Sequence, residues 1–373
     1  MTLHRTKPPF RADTVGSLLR PRELLDARRR REKNEISAAE LRNIEDKAIL
    51  HAVKLQEDAG LEAVTDGEYR RFLFHVDFLE QIHGVKSTQS SYKVKFRGAR
   101  EDVDFAPPVL GVTGKMSRPE GGISVEDFKY LASVTRRTPK LCIPSPSMLH
   151  FRGGRASVDK NAYPRIEEFF NDLARVYREE IADLGKAGCR YVQLDDTNFA
   201  YLCDPVHRER ARSIGEDPER LPSIYAKLIS DSMRGRPGDM VVGIHLCRGN
   251  FRSAWVAEGG YETVADTMFN EIDADAYFLE YDDVRSGGFE PLRFVPKGKF
   301  VVLGLVTTKR PELESKDELK RRIDEASRYV PLEYLALSPQ CGFSSSEHGN
   351  DLTEDEQIAK LRLVVETANE VWG

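Results

Sequence analysis

Side chains of the types that can bind metal ions follow three apolar runs in the second half of the chain. His245 and Cys247 end one run, Glu280 ends a second, and Cys341 follows a third. If these runs are parallel strands, their carboxyl ends bring one imidazole, two thiolates and one carboxylate to the same rim. This donor set suits zinc, so the spacing predicts a metal site at these four residues.

A plainer interpretation is that the two cysteines and the histidine are buried separately and never meet. His-x-Cys alone is a weak motif, and free cysteines mostly behave as small buried hydrophobes. If the residues do converge at the carboxyl ends of barrel strands, their position indicates catalysis, because active sites form there. The chemistry expected of zinc at such a place is activation of a substrate thiol as a thiolate, which is then alkylated.

The elements that would position these residues are short apolar runs that alternate with amphipathic helical stretches. The eight runs are 12–15, 63–66, 141–144, 191–195, 240–245, 276–280, 300–306 and 334–338. The helical stretches are 21–59, 162–187, 221–233, 261–270, 315–329 and 353–371. This repeat predicts an α/β fold, a (β/α)8 TIM barrel, with an open doubly wound sheet as the alternative.

The sequence shows two interruptions of this strand–helix repeat. Between the second and third runs, an excursion over residues 85–138 contains Val94 and Phe96 in alternation with polar residues. It predicts a β-hairpin, placed over the barrel mouth, and then a helix. In the first helical stretch, Ser37 and Glu40 have capping-box spacing, which predicts two helices. No linker divides the sequence, so residues 1–373 are expected to form a single catalytic barrel domain.

The composition narrows the class of protein. The 373 residues include 56 Lys and Arg against 61 Asp and Glu, a net charge of −5 that argues against nucleic-acid and membrane partners and favours small molecules. The chain has no stretch of signal-peptide or membrane-span character, so a cytoplasmic protein is expected. Five scattered cysteines fit reduced thiols. The oligomeric state stays open.

Other polar residues follow the predicted strands at the same rim. Gly16 and Ser17 form a turn that could hold a carboxylate, although a plain βα turn would have the same sequence. Carboxylates that could bind an ammonium or move protons follow two further runs; they are Asp66, Glu68, Asp195 and Asp196. Helix caps or solvated loop acids are the alternative for each. Phe151 could stack on a planar ring or pack in the core.

Taken in order, these motifs resemble the catalytic C-terminal barrel of the cobalamin-independent methionine synthase family and its short single-barrel relatives. They are Val15-Gly16-Ser17, Asp66-Gly67-Glu68, Gln193-Leu194-Asp195-Asp196, His245-Leu246-Cys247, Glu280 and Pro339-Gln340-Cys341-Gly342. The resemblance extends from Asp13 to the C-terminus, and the ordered set is far more specific than His-x-Cys alone.

The resemblance implies a zinc-dependent methyltransferase of methionine biosynthesis. It implies Zn²⁺ bound by His245, Cys247, Glu280 and Cys341. It implies homocysteine bound by Gly16, Ser17, Glu68 and Asp195. The thiolate would attack the methyl group of 5-methyltetrahydrofolate or its polyglutamate. On the side of this second substrate, Phe151 matches an aromatic residue that stacks on the pterin, and Ser147 lies close to it in sequence.

The sequence departs from the family in three places. A chain of 373 residues has no room for the second, N-terminal barrel of the full-length enzymes. Val306-Thr307-Thr308 occupies the strand end where the family has a proton-relaying histidine, and Tyr201 stands where an acid is expected to meet the pterin. Methyl transfer from a tertiary amine requires a proton for the leaving nitrogen. The candidates to supply it are Asp196, His150 and His348.

Three functions are therefore open. The first is methyl transfer to homocysteine or a similar thiol, from a folate or a simpler methyl donor. The second keeps the activated thiol and changes the electrophile, as in related barrels that open epoxides with coenzyme M. Arg248 would suit the sulfonate of that thiol, whereas Glu68 and Asp195 would not. The third is a non-catalytic zinc protein that binds a thiol metabolite.

Overall fold

A computed structural model describes residues 3–88, 94–98, 101–106 and 108–373. The described helices are α1 (Arg22–Glu32), α2 (Ala38–Ala59), α3 (Val76–Leu79), α4 (Val125–Val134), α5 (Ile166–Lys186), α6 (Asn198–Tyr201), α7 (Pro205–Ser213), α8 (Leu221–Met233), α9 (Glu262–Glu271), α10 (Lys316–Ser327) and α11 (Glu354–Trp372). The described strands are β1 (Ala63–Val64), β2 (His83–Thr88), β3 (Val94–Phe96), β4 (Val103–Phe105), β5 (Val109–Ser117), β6 (Thr138–Pro139), β7 (Leu141–Pro144), β8 (Tyr191–Asp196), β9 (Val241–Leu246), β10 (Ala276–Glu280), β11 (Phe300–Val306) and β12 (Leu335–Pro339). From β7 onward strands alternate with helices, and short 3-10 helices replace the α-helix between β10 and β11.

The centre of the fold is a parallel sheet of six strands in the order β12-β11-β10-β9-β8-β7. Its strands are rich in large apolar residues and are almost wholly buried, as parallel strands covered on both faces are. The register places Asp195 beside His245 and Leu279 beside Leu246. Polar residues at neighbouring carboxyl ends therefore stand side by side, and the sheet sets the position of the candidate site.

Both edges of this sheet make further parallel contacts. Beyond β12, a bridge joins Ala12 to Leu337, and next to β7 the short strand β6 pairs with β1. The strands predicted over residues 12–15 and 63–66 are therefore short, since the first is reduced to the bridge at Ala12 and the second to β1. After each of them the chain turns, and side chains take part in its hydrogen bonds. The Thr65 hydroxyl, for example, donates to the Gly16 carbonyl at 2.6 Å. The arrangement is an α/β fold on a parallel sheet, and closure of a complete barrel remains a prediction.

Two antiparallel strand pairs lie in the region of the predicted excursion. β2 pairs with β5, and β3 pairs with β4. Parts of the predicted hairpin lie outside the described residues, namely 89–93, 99–100 and Pro107. The Phe105 ring stacks on the Phe251 ring at 4.3 Å, and the Phe96 ring lies 5.3 Å from the same ring. These contacts hold β3 and β4 against the segment that follows Cys247.

The long helices follow the predicted stretches to within a few residues. The first stretch is split as predicted, because the Ser37 hydroxyl accepts from the Glu40 N–H at 3.1 Å and the Glu40 carboxylate accepts from the Ser37 N–H at 2.8 Å. Helix α7 was missed, because its sequence is mostly polar and lacks apolar periodicity. Its signal was the cap at Asp204, which accepts from the Val206 N–H at 2.9 Å.

Within the described part of the chain, no helix combines the length and the apolar character needed to cross a membrane.

A buried ion pair braces the amino ends of the strands. Lys140, directly before β7, and Asp13 are fully buried, and their charged atoms lie 3.0 Å apart. The Lys140 ammonium also lies 4.0 Å from the centre of the Phe278 ring, and the Tyr191 hydroxyl donates to Asp13 at 2.7 Å. The pair therefore ties the segment before the Gly16 turn to β7, β8 and β10.

Replacing Lys140 by methionine should destabilise the protein by about 3–5 kcal/mol, because Asp13 would be left buried without its counter-charge. Urea denaturation followed by circular dichroism measures this change. The control is Lys54→Met, which removes an exposed lysine from a pair on α2 and should change stability by less than about 0.5 kcal/mol. Equal stability of the two variants would contradict the bracing role.

Candidate metal centre and substrate site

The four predicted metal ligands converge. His245 lies on β9, Cys247 follows that strand, Glu280 ends β10, and Cys341 follows β12. One ligand atom from each residue lies within 4.8 Å of the others, and all four residues are buried. The interpretation in which these residues never meet is therefore wrong. The strands β9, β10 and β12 belong to one parallel sheet, and its carboxyl edge curves enough to bring Cys247 and Cys341 into contact although β10 and β11 lie between β9 and β12.

The two cysteines of this cluster are free and in contact. Their sulfur atoms lie 3.4 Å apart, and the Gly249 N–H donates to the Cys247 sulfur at 3.3 Å. The hydrogen bond from the Cys247 thiol, opposed by burial and helped by His245, lowers the pKa of Cys341 well below its usual value. Cys341 is thus favoured as a thiolate, the form that binds metals.

The His245 imidazole completes a donor set that fits zinc. Its side chain is buried, and among the described residues neither ring nitrogen has a hydrogen-bond partner. Two sulfur atoms on one tetrahedral zinc ion, each at about 2.3 Å, would stand about 3.8 Å apart. The two sulfurs of Cys247 and Cys341 are a few tenths of an ångström closer than that, so small side-chain shifts would accommodate the ion.

Both oxygens of Glu280 are held by neighbouring groups. One accepts from the Arg248 N–H at 2.9 Å, and the other accepts from the Arg285 guanidinium at 3.2 Å. Arg285 is itself paired with Asp282 at 2.6 Å. Burial, and then Cys341, raise the pKa of Glu280, and nearby cations oppose the shift. The protein itself therefore orients this carboxylate.

The predicted Gly16–Ser17 turn packs against the loop that follows β12. The Ser344 N–H donates to the Ser17 hydroxyl at 3.3 Å, and a Cβ added to Gly342 would stand 1.9 Å from that same oxygen. Gly16 has a φ of +138°, and a Cβ there would stand 2.6 Å from the Cys142 sulfur. Since only glycine fits at these two positions, the turn and the loop are held in direct contact.

Glu68 and Asp195 form a buried acidic pair. Ligand atoms of these two residues and of Cys142 lie within 4.8 Å of one another. Burial raises the pKa of Glu68 to about 8, with Arg71 opposing the shift and Asp195 adding to it. Burial likewise raises the pKa of Asp195 to about 6, against the effect of His245. Near neutral pH, Glu68 therefore retains a proton and Asp195 is mostly ionised.

The other two predicted carboxylates stabilise local turns. Asp66 accepts from the Glu68 N–H at 2.9 Å. Asp196 accepts from the Asn198 N–H at 2.6 Å with one oxygen and from the Ser147 hydroxyl with the other. These bonds agree with the helix-cap alternative for Asp196, which stands at the start of α6, and they place Ser147 beside it.

The remaining predicted residues lie in different surroundings. The His150 ring bonds the Tyr225 hydroxyl at 2.9 Å, and the Phe151 ring packs edge to face with the Tyr225 ring at 6.4 Å. His348 is exposed, and its ring lies 5.0 Å from that of Phe251. The structure thus separates His150 and Phe151, which pack against α8, from His348 at the surface.

A narrow cavity of about 50 Å³ lies beside Cys247. The rings that line it, which sequence reasoning missed, belong to Phe74, His75, Phe96, Phe105 and Phe251. Tyr201, which stands where an acid was expected, is also part of the lining. Neither Phe151 nor Arg248 is among the described residues that line it. A sequence signal existed, since Phe74 and His75 closely follow the Asp66-Gly67-Glu68 motif and Phe251 closely follows the His-x-Cys pair.

Two cations lie near the ligand set. Arg248 is fully buried, and its guanidinium lies 4.4 Å from the centre of the Tyr261 ring. Lys309 donates to the Asn250 side-chain oxygen at 3.2 Å. Lys309 follows β11 closely, near the strand end where the resemblance predicts a histidine, and sequence reasoning missed it.

Comparisons with known proteins identify the family of this chain. Residues 10–370 match the family described as cobalamin-independent synthase, catalytic domain. The uncharacterized protein YxjH of Bacillus subtilis strain 168 is 46% identical over 376 residues, which cover 100% of this chain and 97% of that protein. The 5-methyltetrahydropteroyltriglutamate–homocysteine methyltransferase of Thermotoga maritima is 24% identical over 368 residues, which are 98% of this chain and 45% of that enzyme. The chain thus spans less than half the length of this second relative.

Solved structures share the fold. A Listeria monocytogenes protein assigned as a vitamin-B12-independent methionine synthase superposes with a TM-score of 0.79 at 38% identity, covering 99% of this chain and 100% of that one. A B12-independent methionine synthase from Shewanella sp. W3-18-1 gives a TM-score of 0.69 at 20% identity, covering 97% of each chain. The chain belongs to the cobalamin-independent methionine synthase family, and it is a methyltransferase.

Proposed function

We propose that this protein transfers a methyl group to the thiol of homocysteine, with 5-methyltetrahydrofolate or its polyglutamate as the donor. The observation that carries the proposal is the convergence of four metal-ligand atoms within 4.8 Å. Asp195 of the buried acidic pair stands beside His245 in the strand register, and the Gly–Ser turn is bonded to the loop that follows Cys341. The three features suit the three functional groups of one substrate, which are a thiol, an ammonium and a carboxylate.

A zinc ion would be held by His245, Cys247, Glu280 and Cys341. When bound, zinc would supply Lewis acidity that lowers the pKa of the substrate thiol and makes it nucleophilic at neutral pH. The Arg285 guanidinium and the Arg248 N–H fix the orientation of Glu280. Such contacts orient the ligands of a metal site and raise its affinity for the metal.

The acidic pair and the Gly–Ser turn would bind the amino-acid end of homocysteine. The ammonium would lie between Glu68 and Asp195, and its positive charge would favour the ionised form of both acids. Because the pKa of Glu68 is raised to about 8, that residue would release its proton as the ammonium binds. The backbone N–H groups and hydroxyl of Gly16 and Ser17 would hold the carboxylate.

The aromatic cavity beside Cys247 would hold the methyl donor. The rings of Phe96, Phe105 and Phe251 line this cavity, and aromatic rings are the side chains on which a flat pterin stacks, whereas a simpler methyl donor would not need this lining. The assignment of Phe151 and Ser147 to the second substrate remains a prediction, as do proton-transfer roles for Asp196, His150 and His348.

The competing functions have less support. The ionised Asp195 would repel the sulfonate of coenzyme M, and Arg248, the cation suggested for that sulfonate, is buried against Tyr261. A non-catalytic zinc protein would account for the metal ligands, but it would not account for the aromatic cavity next to them.

We also propose that the sheet closes into a (β/α)8 barrel that forms one catalytic domain over residues 1–373. The bridge between Ala12 and Leu337 extends one edge, and the pairing of β1 with β6 extends the other. The hydrogen bond from Thr65 to the Gly16 carbonyl spans the gap that is left between these extensions.

The direct test is an assay of purified, zinc-loaded protein with homocysteine and 5-methyltetrahydrofolate, in which methionine and tetrahydrofolate are both measured. Formation of the two products in equal amounts is expected. Coenzyme M with an epoxide is assayed in parallel. Turnover of that pair alone, or thiol binding without turnover of either donor, would favour a competing function.

Changing Cys341 to serine removes one soft ligand and little volume. We expect zinc affinity to fall by more than about tenfold and turnover to be lost, with the fold retained. Elemental analysis after dialysis against a chelator and circular dichroism measure these properties. The matched control is Cys189→Ser, which changes a buried cysteine outside the ligand set and should keep both zinc and activity. A Cys341→Ser protein that also kept both would show that the ligand assignment is wrong.

The Glu68→Gln variant should gain stability relative to the native protein as the pH rises. The folded state holds the pKa of Glu68 at about 8, above its value of about 4.3 in an unfolded chain. Between these values the folded state binds more protons at Glu68, so the contribution of Glu68 to native stability falls with increasing pH. Glutamine cannot ionise, and the difference should grow by up to about 1.4 kcal/mol per pH unit. Urea denaturation at several pH values, with a chelator present, measures it; a difference that stays constant with pH would contradict the assignment.

A further inference from the structure

His75 lies in the aromatic cavity beside Cys247, and neither the metal site nor the homocysteine site uses it. Its side chain is 3% exposed and stands directly before α3. The Phe74 ring lies 4.6 Å from the His75 ring, and Arg152 is part of the same cavity lining. An imidazole is thus held among rings, next to the candidate metal centre.

Arg152 determines which nitrogen of His75 carries the proton. The Arg152 Nη1 atom lies 2.9 Å from the His75 Nε2 atom. A guanidinium can only donate, so Nε2 accepts and the proton of the neutral imidazole is on Nδ1. Burial, and then the charge of Arg152, lower the pKa of His75 well below its usual value, so the ring is neutral at physiological pH.

The resulting Nδ1–H group has no protein acceptor. Of the residues that the structure describes, none bonds this nitrogen, although it is buried. A buried donor without an acceptor is unfavourable and uncommon in folded proteins. A ligand that brings an acceptor atom into the cavity would satisfy it.

We propose that His75 binds the methyl donor, because its Nδ1–H can donate a hydrogen bond to a nitrogen or oxygen atom of a flat heterocycle lying among Phe96, Phe105 and Phe251. This inference rests on the proposed methyl transfer and adds the residue that orients the donor. The cavity holds about 50 Å³, so its rings must rotate apart as the heterocycle enters. A neutral imidazole with its proton fixed on Nδ1 acts here in binding and not as the acid that protonates the leaving nitrogen.

The test compares variants of the zinc-loaded enzyme by zinc content, kcat, and the KM values for homocysteine and for 5-methyltetrahydrofolate. His75→Phe keeps a ring and removes the donor, and we expect the KM for 5-methyltetrahydrofolate to rise about 10- to 100-fold. Zinc content and the KM for homocysteine should be unchanged. His83→Phe, which changes an exposed histidine on β2, is the control and should alter none of these quantities.

Two further variants separate the loss of the hydrogen bond from the loss of packing. The amide nitrogen of His75→Asn can stand where Nδ1 stands, whereas that of His75→Gln reaches the position of Nε2. The asparagine variant should retain a KM for 5-methyltetrahydrofolate close to that of the native enzyme, and the glutamine variant should resemble His75→Phe.

The outcomes distinguish this inference from the proposed function. Native enzyme that forms methionine, together with equal KM values for the asparagine and glutamine variants, would overturn the role of His75 alone. A fall in kcat without a change in KM would overturn it as well, since that pattern indicates proton transfer. If calorimetry shows that the native protein binds no 5-methyltetrahydrofolate and the assay shows no methionine, both the donor assignment and the role of His75 are overturned.

Discussion

The register of the parallel strands is the constraint on which the whole site depends. β8 pairs with β9 so that Asp195 stands beside His245. β10 pairs with β9 up to Leu279, so Glu280 is the first residue beyond the paired part of these two strands. A shift of one residue would turn each of these side chains to the opposite face of the sheet. The acidic pair and the metal ligands would then be lost together, so the apolar packing that sets the register also sets the chemistry.

The two ends of the sheet use buried charge in different ways. At the amino ends, Asp13 and Lys140 neutralise each other at 3.0 Å and brace the strands. At the carboxyl ends, the burial of Glu68 outweighs its 3.7 Å contact with Arg71 and the charge of Arg20, and the pKa of Glu68 is raised to about 8. Loss of one member of a balanced pair would leave the other charge buried without its partner, whereas an incompletely neutralised acid is ready to bind a cationic group.

The local sequence pattern was sufficient to predict the repeated strands and helices of the fold. The strands β7 to β12 are apolar runs, and each predicted metal ligand stands at or just beyond the end of one of them, so parallel pairing predicted that the ligands share one edge. The contact of Cys247 with Cys341 also depends on the curvature of the sheet, because β10 and β11 lie between β9 and β12. The split of the first helical stretch was predicted for a similar reason, since a capping box is a short-range signal.

Features that depend on tertiary contact were not predictable in this way. The aromatic cavity forms only because β3 and β4 pack on Phe251, a contact between residues far apart in sequence. The tautomer of His75 is set by Arg152, which is also distant along the chain, 77 residues away. Asp195 and Asp196 are adjacent in a strand and point to opposite faces, so composition could not tell the acid of the site from the acid that caps α6.

The most direct measurement of the central claim is X-ray absorption at the zinc edge, combined with elemental analysis, on purified protein that has not been exposed to a chelator. The account predicts one zinc ion per chain with two sulfur neighbours and two nitrogen or oxygen neighbours, which correspond to Cys247 and Cys341 and to His245 and Glu280. A protein without stoichiometric metal, or a zinc ion without sulfur neighbours, would contradict it.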